Sequence, residues 1–399
     1  DLIGRVVICY ALLVAGNESR CAAEVVVGET VYHDLARHLN NLPGGFPPSE
    51  TGADIRVLQR LFTAEEARLA VHLNLFVEPP KVIARRAGLP PAEAAKRLDE
   101  MARKGLVYCN YRDEKEPKYM ATPWVIGIFE FQVNKLTPEM VRDIEAYHDE
   151  VAKPEFWGPE PQMRTIPIGE SIPVQQDILV HEQAEELVRS RTQFAVAPCI
   201  CRQKKEVSGA PCDRPLETCL VFNNAADYYI RNDMAREIDL EEALEILRAA
   251  DAHGLVLQPG NAKKVSNICC CCGDCCEVLQ IAKRHPQPAT VLSSPYVAQL
   301  DLDECIDCYT CTMRCQMEAL EMGDEGLILH THRCIGCGLC VTTCTTGALT
   351  LARKPQEEQP YVPRDLVDLH LRRGLARGVL GPGDMMKTAV RFIAGRVRA

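Results

Sequence analysis

The chain has 399 residues, 47% of them hydrophobic and 25% charged, with a formal net charge of −10. That balance suits a soluble globular protein of two or three domains and excludes a whole-surface polyanion binder. Its unusual feature is 21 cysteines gathered in tight runs, which in so long a chain points to metal thiolates in a reducing, cytoplasmic compartment rather than to a disulfide scaffold.

Residues 1–28 read as an N-terminal extension. The apolar run from Val6 to Gly16 is eleven residues long, too short to span a bilayer. With Arg5 before it, the run has the outline of a signal h-region. A strand or an extension outside the fold is the better reading, because export would carry the thiols into an oxidising space. No stretch elsewhere has the length and apolarity of a membrane span.

Residues 29–122 have the pattern of a winged helix-turn-helix. Thr63-x-x-Glu66 is a capping box that opens a helix through Leu73. Lys81 to Ala87 forms a short helix, and Gly88 turns the chain. Pro90 and Pro91 start a second helix, which Gly105 stops after Lys104. Leu106-Val107-Tyr108, a polar tip at Asp113–Lys118 and Tyr119-Met120 then make a wing hairpin. Many such modules read DNA with the second helix, where the candidate cations are Lys96, Arg97, Arg103 and Lys104, with Arg85 and Arg86 nearby. Glu93, Asp99 and Glu100 share that helix and blunt its field. A docking or structural role is therefore preferred to DNA binding.

Residues 123–298 read as a cysteine-rich α/β middle domain. Thr137-Pro138-Glu139 starts a helix, and the many prolines of 150–173 suggest a linker or an extended wrap. His181 to Arg189 looks helical, and Phe194-Ala195-Val196-Ala197 a buried strand. Asp239-x-x-Glu242 caps a helix ending at His253-Gly254, before a strand at Leu255-Val256-Leu257. Two cysteine sets punctuate this domain. The first is Cys199, Cys201, Cys212 and Cys219. The second packs six thiols between Cys269 and Cys276, within which Cys269, Cys272 and Cys275 have C-x2-C-x2-C spacing; Cys201 or Cys219 would complete that site. Crowded thiolates repel and oxidise unless a cation holds them. One or two further iron–sulfur clusters is the preferred reading, with zinc and reactive redox thiols as the competing ones. Arg202, Lys204 and Lys205 either offset thiolate charge or are simple surface residues. Cys9, Cys21 and Cys109 stand alone and suit inert packing.

Residues 299–354 carry one cysteine pattern twice. Cys305, Cys308, Cys311 and Cys315 read C-x2-C-x2-C-x3-C, as do Cys334, Cys337, Cys340 and Cys344, 29 positions later. The repeat extends beyond the ligands, because Ile306 matches Ile335 and Ala319-Leu320 matches Ala348-Leu349. Structural zinc prefers separated cysteine pairs to two runs of four. Residues 355–399 form a helical tail, with a last helix capped by Asp384. His330 and His332 suit a solvated strand. No phosphate loop, dinucleotide fingerprint, serine–histidine or paired-carboxylate arrangement stands out.

The two runs resemble bacterial-type two-cluster ferredoxins, which hold a pair of [4Fe–4S] clusters. The resemblance implies that each fourth cysteine serves the other cluster. Cys305, Cys308, Cys311 and Cys344 would then hold one, and Cys334, Cys337, Cys340 and Cys315 the other. It departs from the family in having Gln316 and Thr345 where proline usually follows the fourth cysteine. The whole arrangement looks like the multi-cluster ferredoxin-domain proteins of anaerobes. An α+β multidomain fold with a pseudo-twofold dicluster domain is therefore expected. The expected function is relay of low-potential electrons to a partner protein or oxidoreductase complex, more as a component than as a stand-alone enzyme. The alternative is a redox-responsive regulator that binds DNA through the winged helix.

Overall fold

The computed structural model describes residues 30–112, 116–151, 153, 160–171, 182–292 and 294–381. The Val6–Gly16 run, Cys9, Cys21 and the helix expected from Asp384 lie outside them.

A helix over 30–40 and a second at Ala53–Leu61 precede the helix Ala64–Ala70. Thr63 caps the last of these reciprocally. The Glu66 N–H donates to its hydroxyl at 3.2 Å, and its own N–H donates to the Glu66 carboxylate at 2.8 Å. Helices Pro80–Ala87 and Pro91–Lys104 both begin on proline and end on left-handed glycines, Gly88 and Gly105. Gly105 is required twice over. Its φ is +79°, and a Cβ there would stand 2.5 Å from the Phe131 carbonyl oxygen. Strands β1 (Tyr108–Asn110) and β2 (Lys118–Met120) pair antiparallel.

Helix Pro138–Val151 and helix Ala184–Arg189 lead to a five-stranded antiparallel sheet. Its strands are β3 (Phe194–Pro198), β4 (Glu217–Phe222), β5 (Arg236–Ile238), β6 (Val256–Pro259) and β7 (Asn267–Cys271), in the order β5-β3-β4-β7-β6. Both faces are covered, and side-chain alternation shows by what. Phe194, Val196, Leu220 and Phe222 pack with Leu244 and Leu247 of helix Leu240–Ala252. Ala195, Ala197 and Val221 instead join the core of the N-terminal helices. The core thus runs across residue 122, where the composition suggested a boundary. The Tyr228 hydroxyl donates to the carbonyls of Ala102 and Val107, at 3.1 and 2.9 Å.

Residues 160–171 are the described part of the proline-rich stretch, and they run as a wrap along β6. Ile166 N donates to Leu257 O, and Ile168 N reaches Cys337 O at 3.0 Å. Strands β8 (Tyr296–Leu300) and β11 (Leu349–Arg353) then pair across the ends of the C-terminal cysteine segment. Strands β9 (Leu320–Gly323) and β10 (Gly326–Leu329) make a hairpin between its halves. The tail helix Leu366–Ala376 returns to the N-terminal helices, where Arg377 donates to Asn40 and to the Leu42 carbonyl.

Candidate metal centres

Each C-terminal cysteine run sits in a loop that turns into a five-residue helix, Thr310–Arg314 or Leu339–Thr343, with the fourth cysteine as its C-cap. A cysteine at that position leaves its own loop. One small cavity is lined by Cys305, Cys308, Cys311 and Cys344, and another by Cys315, Cys334, Cys337 and Cys340. Donors point at the sulfurs. Ala298 N meets Cys334 Sγ and Ala319 N meets Cys315 Sγ, each at 3.3 Å, and the Thr310 hydroxyl lies 3.6 Å from Cys308 Sγ. Hydrogen bonds from Thr310, backbone first and then hydroxyl, hold the Cys308 thiol below its usual range. Burial drives Cys337 and Cys340 the other way, so their thiolates need a bound cation. Four soft sulfurs per cavity, with peptide N–H groups aimed at them, fit [4Fe–4S] clusters. These clusters are the protein's cofactor.

The ten middle thiols divide differently from the grouping that spacing suggested. Cys199 caps helix Ile200–Val207, whose first turn carries Cys201, and Cys276 caps helix Glu277–Arg284. On β4 and β7, Cys219 stands directly opposite Cys269. Strand period places Cys271 on the face of Cys269, and Cys270 on the other. Six thiols therefore form a row, Cys199–Cys201–Cys276–Cys271–Cys269–Cys219, each next to its neighbour. Within it, hydrogen bonds from Cys219 and Cys271 hold Cys269 well down, and those from Cys201 and Cys271 hold Cys276 at about 6. Side-chain amides reinforce both sulfurs, Asn267 at 3.8 Å from Cys269 and Gln258 at 3.9 Å from Cys276.

Cys212 does not join Cys199, Cys201 and Cys219. It meets Cys272 and Cys275 instead, and with Asp274 all four ligand atoms lie within 4.8 Å of one another. Ligands about 2.3 Å from one tetrahedral ion stand about 3.8 Å apart, so this second group is compact enough for a single ion. The C-x2-C-x2-C reading of Cys269, Cys272 and Cys275 is thus split, because β7 ends at Cys271 and the chain turns at Gly273. Sequence reasoning passed over Cys271, Cys276 and Asp274. The i, i+2 alternation of a strand was the signal for Cys271.

Arg202 is a buried tie, not a surface residue. At 2% exposure it donates to Pro215 O, to Thr218 Oγ1 at 2.7 Å and to Cys270 O at 2.9 Å. Lys204 is 4% exposed and pairs with Glu277 and, at 3.5 Å, with Glu145. The Trp124 indole donates to His148 Nε2 at 3.0 Å, which leaves Nδ1 facing Glu277 at 3.4 Å. Burial opposes ionisation of Glu277, but the hydrogen bonds from His148 and Lys204 and the Lys204 charge outweigh it and hold its carboxyl at about 2. Its folded value lies below the ordinary one, so this stabilisation is present above about pH 4.5 and is lost as pH falls towards 2. Lys204→Met leaves Glu277 with less compensation, and we expect it to cost about 3 kcal/mol at pH 7. Urea unfolding checks this, and an unchanged midpoint would refute it.

The cluster residues tie the two cysteine regions together. Gln316, at the position where ferredoxins usually have proline, accepts a hydrogen bond from Gly273 N at 2.7 Å. A Cβ on Gly273 would stand 2.4 Å from the Gln316 carbonyl oxygen. Met317, Ile335 and Leu339 share a core with Cys271, Cys272, Cys275 and Cys276.

Cys219 and Cys269 also border a cavity of about 650 Å³ between the β1–β2 hairpin, the segment 122–131, the sheet and the tail helix. Glu130 faces this interior space, where burial raises its carboxyl to about 8 even though the side chain is only half-buried by area. It still accepts the Gly127 N–H at 2.8 Å. A folded value above the ordinary 4.5 means stability that is full below about pH 4.5 and lost as pH rises through 8. Glu130→Gln keeps the acceptor and removes the ionisation. The melting temperature of the variant should gain on the wild type between pH 6 and pH 9; a constant difference would refute the assignment.

The 4Fe-4S dicluster domain family matches residues 304–349. The chain is also 31% identical over 105 residues to an archaeal-type glutamate synthase [NADPH] of Dehalococcoides mccartyi. That match covers 25% of this chain and 21% of the relative, so the chain spans about a fifth of the relative's length. No solved structure matches.

Proposed function

We propose that the chain is an iron–sulfur electron-transfer component that relays low-potential single electrons between a donor and a partner oxidoreductase. A bound [4Fe–4S] cluster supplies a one-electron couple. The observation that carries the reading is the serial placement of the two four-thiol cavities. The outer one reaches the surface at the exposed Cys308, while Cys315 and Cys337 of the inner one pack against the core of the middle thiols.

The chain's own residues suit a docking port. Around the outer loop Leu302, Ile306 and Met313 are 59%, 65% and 81% exposed, and Asp301, Asp303, Glu304 and Asp307 flank them. An apolar patch inside an acidic rim favours a partner with a basic, partly apolar face. The D. mccartyi relative is named as a synthase using NADPH, which supports service in an oxidoreductase complex. We take the dicluster segment as pseudo-twofold and the middle thiols as one or two further metal sites. Localisation in a reducing cytoplasm follows from the thiol load. No helix among the described residues is long and apolar enough to cross a membrane.

The DNA-reading alternative has less support. We take residues 29–122 as a winged-helix-like module that docks, because Lys96, Arg97, Arg103 and Lys104 pair with Glu100, Glu93, Asp99 and Glu66. Its second helix ends against Tyr228 of the middle domain. The test is anaerobic purification with iron and sulfide analysis, followed by reduction with a ferredoxin-linked oxidoreductase and paramagnetic resonance. At least about eight irons per chain and rapid one-electron reduction are expected. Colourless, zinc-bearing protein, or a salt-dependent promoter shift without turnover, would overturn the relay.

A further inference from the structure

The compact thiol group just beyond β7 joins two chain segments that little else holds together. Residues 208–217 follow helix Ile200–Val207 and contain no buried side chain, so apolar burial does not fix this loop in place. Backbone bonds anchor its ends: Ala210 N donates to Lys205 O at 2.9 Å, and Cys199 N to Leu216 O at 2.7 Å. Between those anchors Cys212 is brought onto Cys272 and Cys275, which are 1% and 4% exposed. The opposing turn is closed by Cys276 N, which donates to Cys272 O at 3.0 Å, and Gln316 accepts the Gly273 N–H at its centre.

Spacing and donor type select the ion. Among the described residues this is the one group of three or more cysteine, histidine or carboxylate donors whose ligand atoms all lie within 4.8 Å of one another. No three sulfurs of either ferredoxin-type cavity come that close, as expected of ligands that surround a four-iron cluster rather than one ion. Three thiolates and one carboxylate suit zinc, which takes soft sulfur and harder oxygen in one tetrahedron. Such ligands generally hold Zn²⁺ more tightly than Fe²⁺. The filled site is a dianion, and cations stand beside it to offset that charge. Arg202 donates to Cys272, and Arg214 lies near Asp274.

We propose that Cys212, Cys272, Cys275 and Asp274 bind one Zn²⁺ ion, which clamps the 208–217 loop to the turn at Gly273. Zinc has no redox chemistry, so the ion takes no part in electron relay. Its effect is mechanical. Two of its ligands flank Gly273, whose N–H Gln316 accepts, and Gln316 directly follows Cys315 of the inner cavity. Metal bonds at Cys272 and Asp274 thereby fix the turn on which the inner cluster's loop rests. That consequence depends on a cluster in the inner cavity, whereas zinc binding does not.

The test measures zinc and iron in full-length protein produced with both metals supplied and purified anaerobically. About one zinc per chain is expected beside the iron, and X-ray absorption at the zinc edge should find three sulfurs at about 2.3 Å and one oxygen at about 2.0 Å. Asp274→Cys should keep the zinc and convert that shell to four sulfurs. Cys212→Ala should lose the zinc, keep the iron of both ferredoxin-type cavities, and shift the paramagnetic signal of the inner cluster alone. Iron-replete protein without zinc overturns the site, as does a zinc shell that Asp274→Cys leaves unchanged. Loss of about four irons from Cys212→Ala would place Cys212 on a cluster and also overturn it. An inner-cluster signal that Cys212→Ala does not move refutes the clamp. Protein that holds zinc in this shell but no iron would refute the relay and leave the zinc site standing.

Discussion

Cys315→Ser should abolish the same cluster signal as Cys334→Ser, although the two residues belong to different sequence runs. Each change removes a ligand from the cavity that also holds Cys337 and Cys340. Serine is a poor substitute for a thiolate, so loss of about four irons and four sulfides per chain is expected in either variant. Cys344→Ser should instead match Cys308→Ser, which shares the other cavity. Paramagnetic resonance of the reduced variants reads this out, because the two surroundings differ. The outer sulfurs meet the Thr310 hydroxyl and open solvent, whereas Cys334 and Cys337 are enclosed and meet peptide N–H groups. A Cys315→Ser spectrum that matches Cys308→Ser would refute the exchanged arrangement. The inner pair of variants should also be the less stable. Their cavity adjoins Met317, Ile335 and Leu339, so an emptied site loosens the contact with the middle domain.

The second large effect separates the two middle thiol groups. Cys276→Ala breaks the six-thiol row at the residue that links Cys201 to Cys271. Cys212→Ala removes one ligand of the compact Cys212–Cys272–Cys275–Asp274 group. If the row holds a cluster and the compact group a single ion, Cys276→Ala loses several irons and Cys212→Ala about one metal ion. Arg202→Met should disturb both. Its guanidinium holds the Cys270 carbonyl between the groups, and its charge offsets Cys199, Cys272 and Cys271. Metal analysis of each purified variant decides the matter. Identical losses from Cys276→Ala and Cys212→Ala would mean that the ten thiols serve one centre.

Much of the local structure was legible because its causes are local. Thr63 and Glu66 close a capping box whatever surrounds them, and Asp239 accepts the Glu242 N–H at the start of helix Leu240–Ala252. Gly88 and Gly105 stop helices through their own backbone freedom. Strands β4, β5 and β7 were harder. In β7 a run of cysteines hides the alternation that normally betrays a strand, since Cys269, Cys270 and Cys271 carry the same side chain. Whether Arg202 and Lys204 offset thiolate charge or lie on the surface stayed open in the sequence, because charge alone does not reveal that carbonyls and carboxylates wait inside to receive it. The cavity beside Cys219 and Cys269 left no trace in the sequence, as its walls come from segments as far apart in the chain as Tyr108 and His370.

What the amino-acid sequence determined by itself was the cofactor chemistry: two C-x2-C-x2-C-x3-C loops place soft sulfurs within reach of one another through chain geometry over a dozen residues. Only the tertiary structure decided which fourth cysteine closes which cavity, how the middle thiols divide, and that Gln316 locks onto Gly273. The reason is range. Ligand spacing is set by covalent reach, whereas partnership between loops is set by strand register, helix caps and the close approach of backbones distant in the chain.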